Sequence, residues 1–379
     1  MSIRKRKWAT RQGEQKEAWV VDYVDQGGKR HLQTFERKKD ADDYHANVKV
    51  EVGRGTHTAP SRSITVAQAA EDWIAFVKLE GRERSTVEQY RQHVTHHIAP
   101  RLGQERLARL TAPRVNAFLR DLRAHTSRAM AGKVLKSLKA ILRHAQIEGN
   151  VAQNVALGVK LGADKRSKRR LEAGVDIPTP EEVGRIIRAA TGRWRPLILT
   201  AIFTGLRASE LRGLRWEDID LKRSSLRVRQ RADRYNVIGR PKSESGIREV
   251  PLPPLVLSAL REWKLACPQG GLVFPNTKGR IQSRASIAAL GLGPALVAAG
   301  VTGEDGKPKY ALHALRHFYA SWCINRRVDG GLELPLKLVQ ARLGHSTIGM
   351  TADTYGHLFP SSDDGVELAA AERVLWDAT

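Results

Sequence analysis

The chain has 379 residues, with 64 Lys and Arg against 40 Asp and Glu, a formal net charge of +24. That length allows two or three domains with a sizeable core, and the charge favours a polyanionic partner, nucleic acid first and an anionic membrane surface second. No apolar run of about 18 residues predicts a membrane span; Met1-Ser2-Ile3-Arg4-Lys5-Arg6-Lys7-Trp8 has no apolar segment behind it and is no secretory signal; and Cys267 and Cys323 each lack a C-x-x-C partner, which leaves no disulfide framework or zinc site and fits a reducing cytoplasm.

Residues up to about 60 read as a small unit. Trp19 to Val24 is a β-like run, Gly27-Gly28 a turn, and His31 to Phe35 a second strand. Lys38 to Val52 reads as a helix with Ala41, Tyr44 and Val48 on one face, stopped by Gly53 and Gly55. Thr56 to Ser63 is polar and linker-like. Four helices are then predicted. Thr65 caps the first, which carries Ala69, Trp73, Phe76 and Val77. Ser85 to His97 is the second, closed by Pro100. Thr111-Ala112-Pro113 opens the third, and Ser127 to Ile147 is the fourth. The fourth keeps Val134, Leu138, Ile141 and Leu142 inside and Lys133, Lys136, Lys139 and Arg143 outside. Those cations suit phosphate contacts, and equally a solvated helix face. Lys165, Arg166, Lys168, Arg169 and Arg170 follow as a basic linker, able to lie in solvent or to cross a duplex backbone.

A last domain begins near Thr179, with Glu182 as capping-box partner. Pro196 to Phe203 is a helix that runs into Thr204-Gly205-Leu206-Arg207-Ala208-Ser209-Glu210, where Glu210 can hold the Arg207 guanidinium. Leu226–Val228 and Ile238–Leu252 read as strands with Lys242 near the turn between them. Arg284 to Gly300 is helical. In Leu312 to Phe359, Leu315, Phe318, Tyr319 and Trp322 form a buried stripe, while His313 and Arg316, at i and i+3, face a cleft. Leu336, Val339 and Leu343 form another stripe, capped by Gly344, so His345 sits just past a helix end. Tyr355 follows ten residues on. Arg offers bidentate donors to phosphate oxygens, His moves protons near neutral pH, and an activated Tyr is a nucleophile. Each residue alone also suits a structural role.

Taken in order, these motifs resemble the tyrosine recombinase, or phage integrase, family. The resemblance rests on T-G-x-R-x-S-E at Thr204–Glu210, the lysine at Pro241-Lys242-Ser243, H-x-x-R at His313–Arg316, L-G-H at Leu343–His345, and the tyrosine of Thr351-Ala352-Asp353-Thr354-Tyr355-Gly356-His357-Leu358-Phe359. It spans about half the chain. It implies a multidomain, mainly α protein with small β-sheets: an arm-type DNA-binding module at 1–60, a helical core-binding domain at 63–160, a basic linker at 161–178, and a mixed α/β catalytic domain at 179–379 with a tail at 361–379. One departure is the Asp329-Gly330-Gly331-Leu332-Glu333-Leu334-Pro335 segment, longer than the family usually shows.

The resemblance also implies roles. Tyr355 attacks the scissile phosphate, Arg207 and Arg316 clamp the developing charge, Lys242 protonates the 5′-oxygen, His313 assists proton transfer and His345 holds the phosphate. Glu210 supports Arg207. No metal or other cofactor is expected, and no G-x-x-x-x-G-K-[ST] motif is present. His317 and His357 are expected to serve packing or backbone contacts. The expected partners are double-stranded DNA at attachment sites, the chain itself as a tetramer on DNA, an excisionase and a DNA-bending host factor. The expected setting is the nucleoid of a bacterial cytoplasm. Integration or excision of a mobile element is the first reading. The alternatives are a dimer-resolving recombinase, a type IB topoisomerase-like enzyme, a DNA-binding regulator with a dead site, and a two-metal nuclease using pairs such as Asp218 and Asp220, which read better as loop caps. In the family a C-terminal segment packs on a neighbouring subunit, and Leu368, Ala371 and Leu375 form a short apolar helix face suited to that.

Overall fold

The computed structural model describes residues 1–9, 15–25, 27–55, 57, 63–162, 170–268, 270–359, 369, 372–374 and 376–377. The chain is mainly helical with small antiparallel sheets, and it divides into two compact units, Met1–Lys165 and Arg166–Thr379. Lys165, Arg166, Lys168 and Arg169 lie outside the described residues, as does most of the 361–379 tail.

The first unit opens with a sheet of β1 (Ser2–Ala9), β2 (Gln15–Val24) and β3 (Arg30–Phe35) in that order, antiparallel throughout. β1 is one strand more than the sequence suggested. Arg4, Lys5, Arg6 and Lys7 give it no apolar alternation, and pairing with β2 rather than burial holds it. α1 (Lys38–Arg54) packs on this sheet through Ala41 and Val48 against Val21 and Tyr23. The buried Tyr23 hydroxyl lies 2.9 Å from His57 Nε2 and 3.3 Å from the Tyr44 hydroxyl.

A separate helical core follows: α2 (Val66–Leu79), α3 (Arg84–His93), α4 (Ala99–Leu102), α5 (Ala112–His125) and α6 (Arg128–Ile147). Local chemistry sets its helix starts. Thr65 and Gln68 form a reciprocal capping box, and Thr111 and Ser127 accept from the backbone N–H groups of Arg114 and Met130. Ile74, Phe118, Leu122, Val134, Leu138 and Ile141 are all but inaccessible. Each contributes about 1.5–3 kcal/mol of hydrophobic stabilisation. Pro100 does not end the second helix as expected. A π-turn at Val94–Ile98 carries the chain on, and Pro100 sits in the first turn of α4, where its missing N–H has no cost. Lys133, Lys136 and Arg143 are exposed on α6, while Lys139 is half-buried and donates to the Leu157 carbonyl.

The second unit runs α7 (Pro180–Ala189), α8 (Arg195–Thr204), α9 (Ala208–Gly213), β4 (Ile219–Asp220), β5 (Ser225–Val228), β6 (Arg231–Ala232), β7 (Ile238–Gly239), β8 (Arg248–Pro251), α10 (Pro254–Ala266), α11 (Arg284–Ser286), α12 (Gly293–Ala298), α13 (Leu312–Ile324), α14 (Leu336–Leu343) and α15 (Ile348–Tyr355). α8 is buried on all sides and is the pillar of this core, packed by α10 and α13. The sheet order is β4-β5-β8, with Leu226 opposite Val250. The predicted strand Ile238–Leu252 is interrupted. Only Ile238–Gly239 and Arg248–Pro251 pair, and a short 3₁₀ turn at Glu244–Gly246 breaks the run. Lys242 is therefore on the irregular segment between β7 and β8, not at a hairpin turn. The segment after α13 folds back on it: Leu332, Leu334 and Glu333 donate to the carbonyls of Trp322, Cys323 and Asn325. The long insertion thus satisfies the orphan acceptors of that helix end. Among the described residues no helix is long and apolar enough to cross a membrane.

Candidate active site

Two left-handed glycines build the centre of the second unit. α8 ends at Gly205 with φ +60°, and a Cβ there would lie 2.4 Å from Tyr319 Cδ1. Only glycine meets both demands. α14 ends at Gly344 with φ +64°, against Arg248 and the Ser245 carbonyl. These two helix ends leave carbonyls that the site's cations occupy.

Arg316, on α13, is 2 % exposed and donates to the Gly205 and Leu343 carbonyls, both at 2.6 Å. Arg207 caps α9 and donates to Glu210 Oε1 at 2.9 Å and to the Gly344 carbonyl at 3.3 Å. Both guanidiniums thus converge on the Leu343-Gly344 turn. Glu210 also binds Arg248, whose Nη2 reaches Oε2 at 2.8 Å. Burial works to raise the Glu210 pKa, but Arg248 and Arg207 outweigh it and bring it to about 2. Burial, with Arg207 nearby, pushes Arg316 down to about 9, still protonated at neutral pH.

His345 follows that turn, with Nδ1 3.0 Å from the Thr351 hydroxyl. Its ring lies parallel to the Tyr355 ring at 6.3 Å. Tyr355 is 2 % exposed at the end of α15, and its hydroxyl lies 2.8 Å from His317 Nδ1. Burial raises the phenol to about 12, against the opposing pull of Arg316 and Arg207. Burial and the surrounding arginines push His345 down to about 4, and the same two causes lower His313, which keeps an open surface at the start of α13. Lys242 is exposed and lines a cavity of about 360 Å³ with Arg207, Glu210, Gly344 and Ser346.

The electrostatics follow from this inventory. Arg207 and Arg248 share one carboxylate and Arg316 is held by backbone carbonyls, so the site has more positive charge than its own anion balances. Such a site stabilises a bound anion, and phosphate oxygens match the guanidinium fork. Among the described residues no group of His, Cys, Asp or Glu is arranged to hold a metal ion. Asp220 accepts from the backbone N–H groups of Lys222 and Arg223, the loop-cap role read for it, and Asp218 pairs with Arg229.

The structure brings Arg207, Glu210, Lys242, Arg316, His345 and Tyr355 around one turn, with His313 on the neighbouring helix. The α6 cations belong to the other unit, and Arg170 is exposed. Sequence reasoning missed two residues. Arg248 alternates with Val250 and Leu252 on a strand that faces the core, a signal that it is buried and so must be paired. His317 lies at i+4 from His313 and so on its helix face. It was expected to pack or touch backbone, yet it bonds the Tyr355 hydroxyl. His357 does contact backbone, at the Leu171 carbonyl.

Comparison with known proteins places this architecture. The phage integrase family profile matches residues 178–361, and the phage integrase central domain profile matches residues 66–160. Tyrosine recombinase XerC of Xylella fastidiosa (strain M23) is 30% identical over 77% of this chain and 93% of its own length. The integrase of Mycobacterium phage L5 is 27% identical over 90% of this chain and 92% of its own. A lambda integrase tetramer bound to a Holliday junction shares the fold with a TM-score of 0.57 and 19% identity, over 90% of this chain and 95% of that one.

Proposed function

The chain belongs to the phage integrase family and is a site-specific tyrosine recombinase, and we propose that it integrates or excises a mobile element through a 3′-phosphotyrosyl intermediate on Tyr355. The observation that carries this reading is the convergence of Arg207 and Arg316 on the Leu343-Gly344 turn, with the Tyr355 ring stacked beside His345.

In this reading the arginines take the non-bridging oxygens of the scissile phosphate and hold the charge that grows there. Glu210 keeps Arg207 in place. His345, anchored through Thr351, adds a hydrogen bond to the phosphate, and His313 assists proton transfer at the open side. Lys242, on the segment before β8, protonates the leaving 5′-oxygen. The phosphotyrosine keeps the bond energy, so a foreign 5′-hydroxyl reverses the step without ATP.

The mobile-element reading is favoured over dimer resolution by the front sheet-and-helix unit. The phage L5 integrase aligns over 90% of this chain, against 77% for the XerC relative. The first 60 residues then read arm sites, and Lys133, Lys136, Arg143 and the 165–170 cations contact the core-site backbone. By the same likeness the chain assembles as a tetramer on double-stranded DNA, in a bacterial cytoplasm and on its nucleoid. An excisionase and a DNA-bending host factor would set direction. The test supplies the DNA flanking the coding region as paired sites, with EDTA present. Strand-exchanged products support the reading. Relaxation of supercoils without exchange would make the protein a topoisomerase, and dependence on a divalent cation would make it a nuclease.

A further inference from the structure

The nucleophile of a tyrosine recombinase must lose its phenolic proton, and one contact in this structure bears on where that proton goes. Tyr355 Oη and His317 Nδ1 are 2.8 Å apart, with ring centroids at 5.7 Å. Tyr355 is buried, and among the described residues His317 is its hydroxyl's hydrogen-bond partner. If Nδ1 carried a hydrogen, the phenolic proton would be buried without an acceptor. The tautomer with hydrogen on Nε2 satisfies both groups: the O–H donates and the Nδ1 lone pair accepts.

The surroundings keep that lone pair available. Burial, with His313 and Arg316 close by, holds His317 down to about 4 against the weak opposing pull of Asp176, so the ring is neutral at physiological pH. The His313 ring stands edge-on to it at 4.7 Å.

We propose that His317 is a catalytic residue, the base that takes the proton of Tyr355 as it attacks the scissile phosphate. The inference rests on the assignment of Tyr355 as nucleophile. The Oη–H bond breaks as its proton passes to His317 Nδ1, and an oxygen electron pair forms the new O–P bond. The P–O bond to the 5′-oxygen breaks with its electrons, and that oxygen takes a proton from Lys242. In religation each transfer reverses.

The test is single-turnover cleavage of a nicked suicide substrate by the full chain and by His317→Asn. Asparagine places an acceptor where Nδ1 stood but cannot take a proton. The expected result is unchanged DNA binding with adduct formation slowed a hundredfold or more. The same pair is then made with 3-fluorotyrosine at position 355, whose phenol ionises more easily. The substitution should restore much of the loss in His317→Asn and change the unsubstituted protein little, which a purely structural role for His317 would not produce. His317→Gln serves the same comparison if the asparagine variant does not bind DNA. Cleavage by the variant within threefold of the parent, or faster than it, overturns the proposal, as does an equal effect of fluorination on both. No adduct with the unsubstituted chain would instead overturn the assignment of Tyr355.

Discussion

Glu210 and Arg248, 38 residues apart in sequence, form a buried two-point ion pair, Nη2 to Oε2 at 2.8 Å and Nη1 to Oε1 at 3.2 Å. Arg248 also donates to the Arg342 carbonyl at 2.7 Å, so one guanidinium joins β8, α9 and the end of α14. The Glu210 carboxyl has a folded pKa of about 2 against an ordinary value of 4.5. A depressed folded pKa contributes stability that is fully present above about 4.5 and is lost as pH falls toward 2. The contribution is about 3 kcal/mol. Glu210→Gln leaves Arg248 buried beside a neutral amide and is expected to cost roughly 3–5 kcal/mol. Denaturant unfolding between pH 5 and 2.5 should show a shallower pH slope in the variant, with the remainder carried by other paired carboxylates such as Glu182. An unchanged slope would show that other carboxylates carry the acid transition.

Much of this site was legible in the sequence. The helical spacing of His313 and Arg316, the capping glycine before His345 and the i+3 relation of Glu210 to Arg207 are local, and the structure has all three. Arg248 was not legible as a partner because its ligands lie far away in sequence, at positions 210 and 342. His317 was passed over because a helix face shows which residues are neighbours, not which atoms another helix brings to them. The position of Lys242 was misread because Ile238 and the Ile247 to Leu252 segment were joined into one strand across Gly239, Pro241 and Gly246. Gly246, packed on Pro241, marks where the backbone turns out of the sheet.

Gly205→Ala adds a Cβ 2.4 Å from Tyr319 Cδ1 and forces a left-handed conformation on alanine. The two effects together are expected to destabilise the protein by about 2–4 kcal/mol. The Gly205 carbonyl that receives Arg316 would shift as well, so cleavage should fall with stability. Chemical denaturation reads the first effect. Full stability in the variant would mean that α8 and α13 can separate without cost.

Lys242→Ala should slow cleavage of an ordinary site about 10²–10⁴-fold, the range for losing a general acid. It should spare a substrate whose 5′-bridging oxygen is sulfur, because a thiolate leaves without protonation. Equal slowing on both substrates would remove Lys242 from that role and leave it as a phosphate contact in the cavity beside Arg207.

Ending the chain at Phe359 removes Leu368, Ala371 and Leu375, which lie outside the described residues and whose spacing in the sequence predicts an apolar helix face. A helix that short is marginal alone in water and needs a surface. The surface expected for it is a neighbouring subunit, and a head-to-tail contact of that kind forms a ring where its rotation closes. Single-site DNA binding should survive the truncation, and the paired-site complex should fade in a mobility assay. Recombination at the full rate by the shortened chain would exclude a role for the tail between subunits.

The assignment of Tyr355 as the covalent nucleophile is tested most directly by trapping the protein on a nicked suicide substrate, digesting the adduct and sequencing the nucleotide-bearing peptide by mass spectrometry. The expected peptide contains Thr351 to His357 with the modification on Tyr355, joined to a 3′-phosphate, and Tyr355→Phe should form no adduct while binding DNA as before. A modification on any other residue, a 5′-phosphate linkage, or an undiminished adduct with Tyr355→Phe would contradict it.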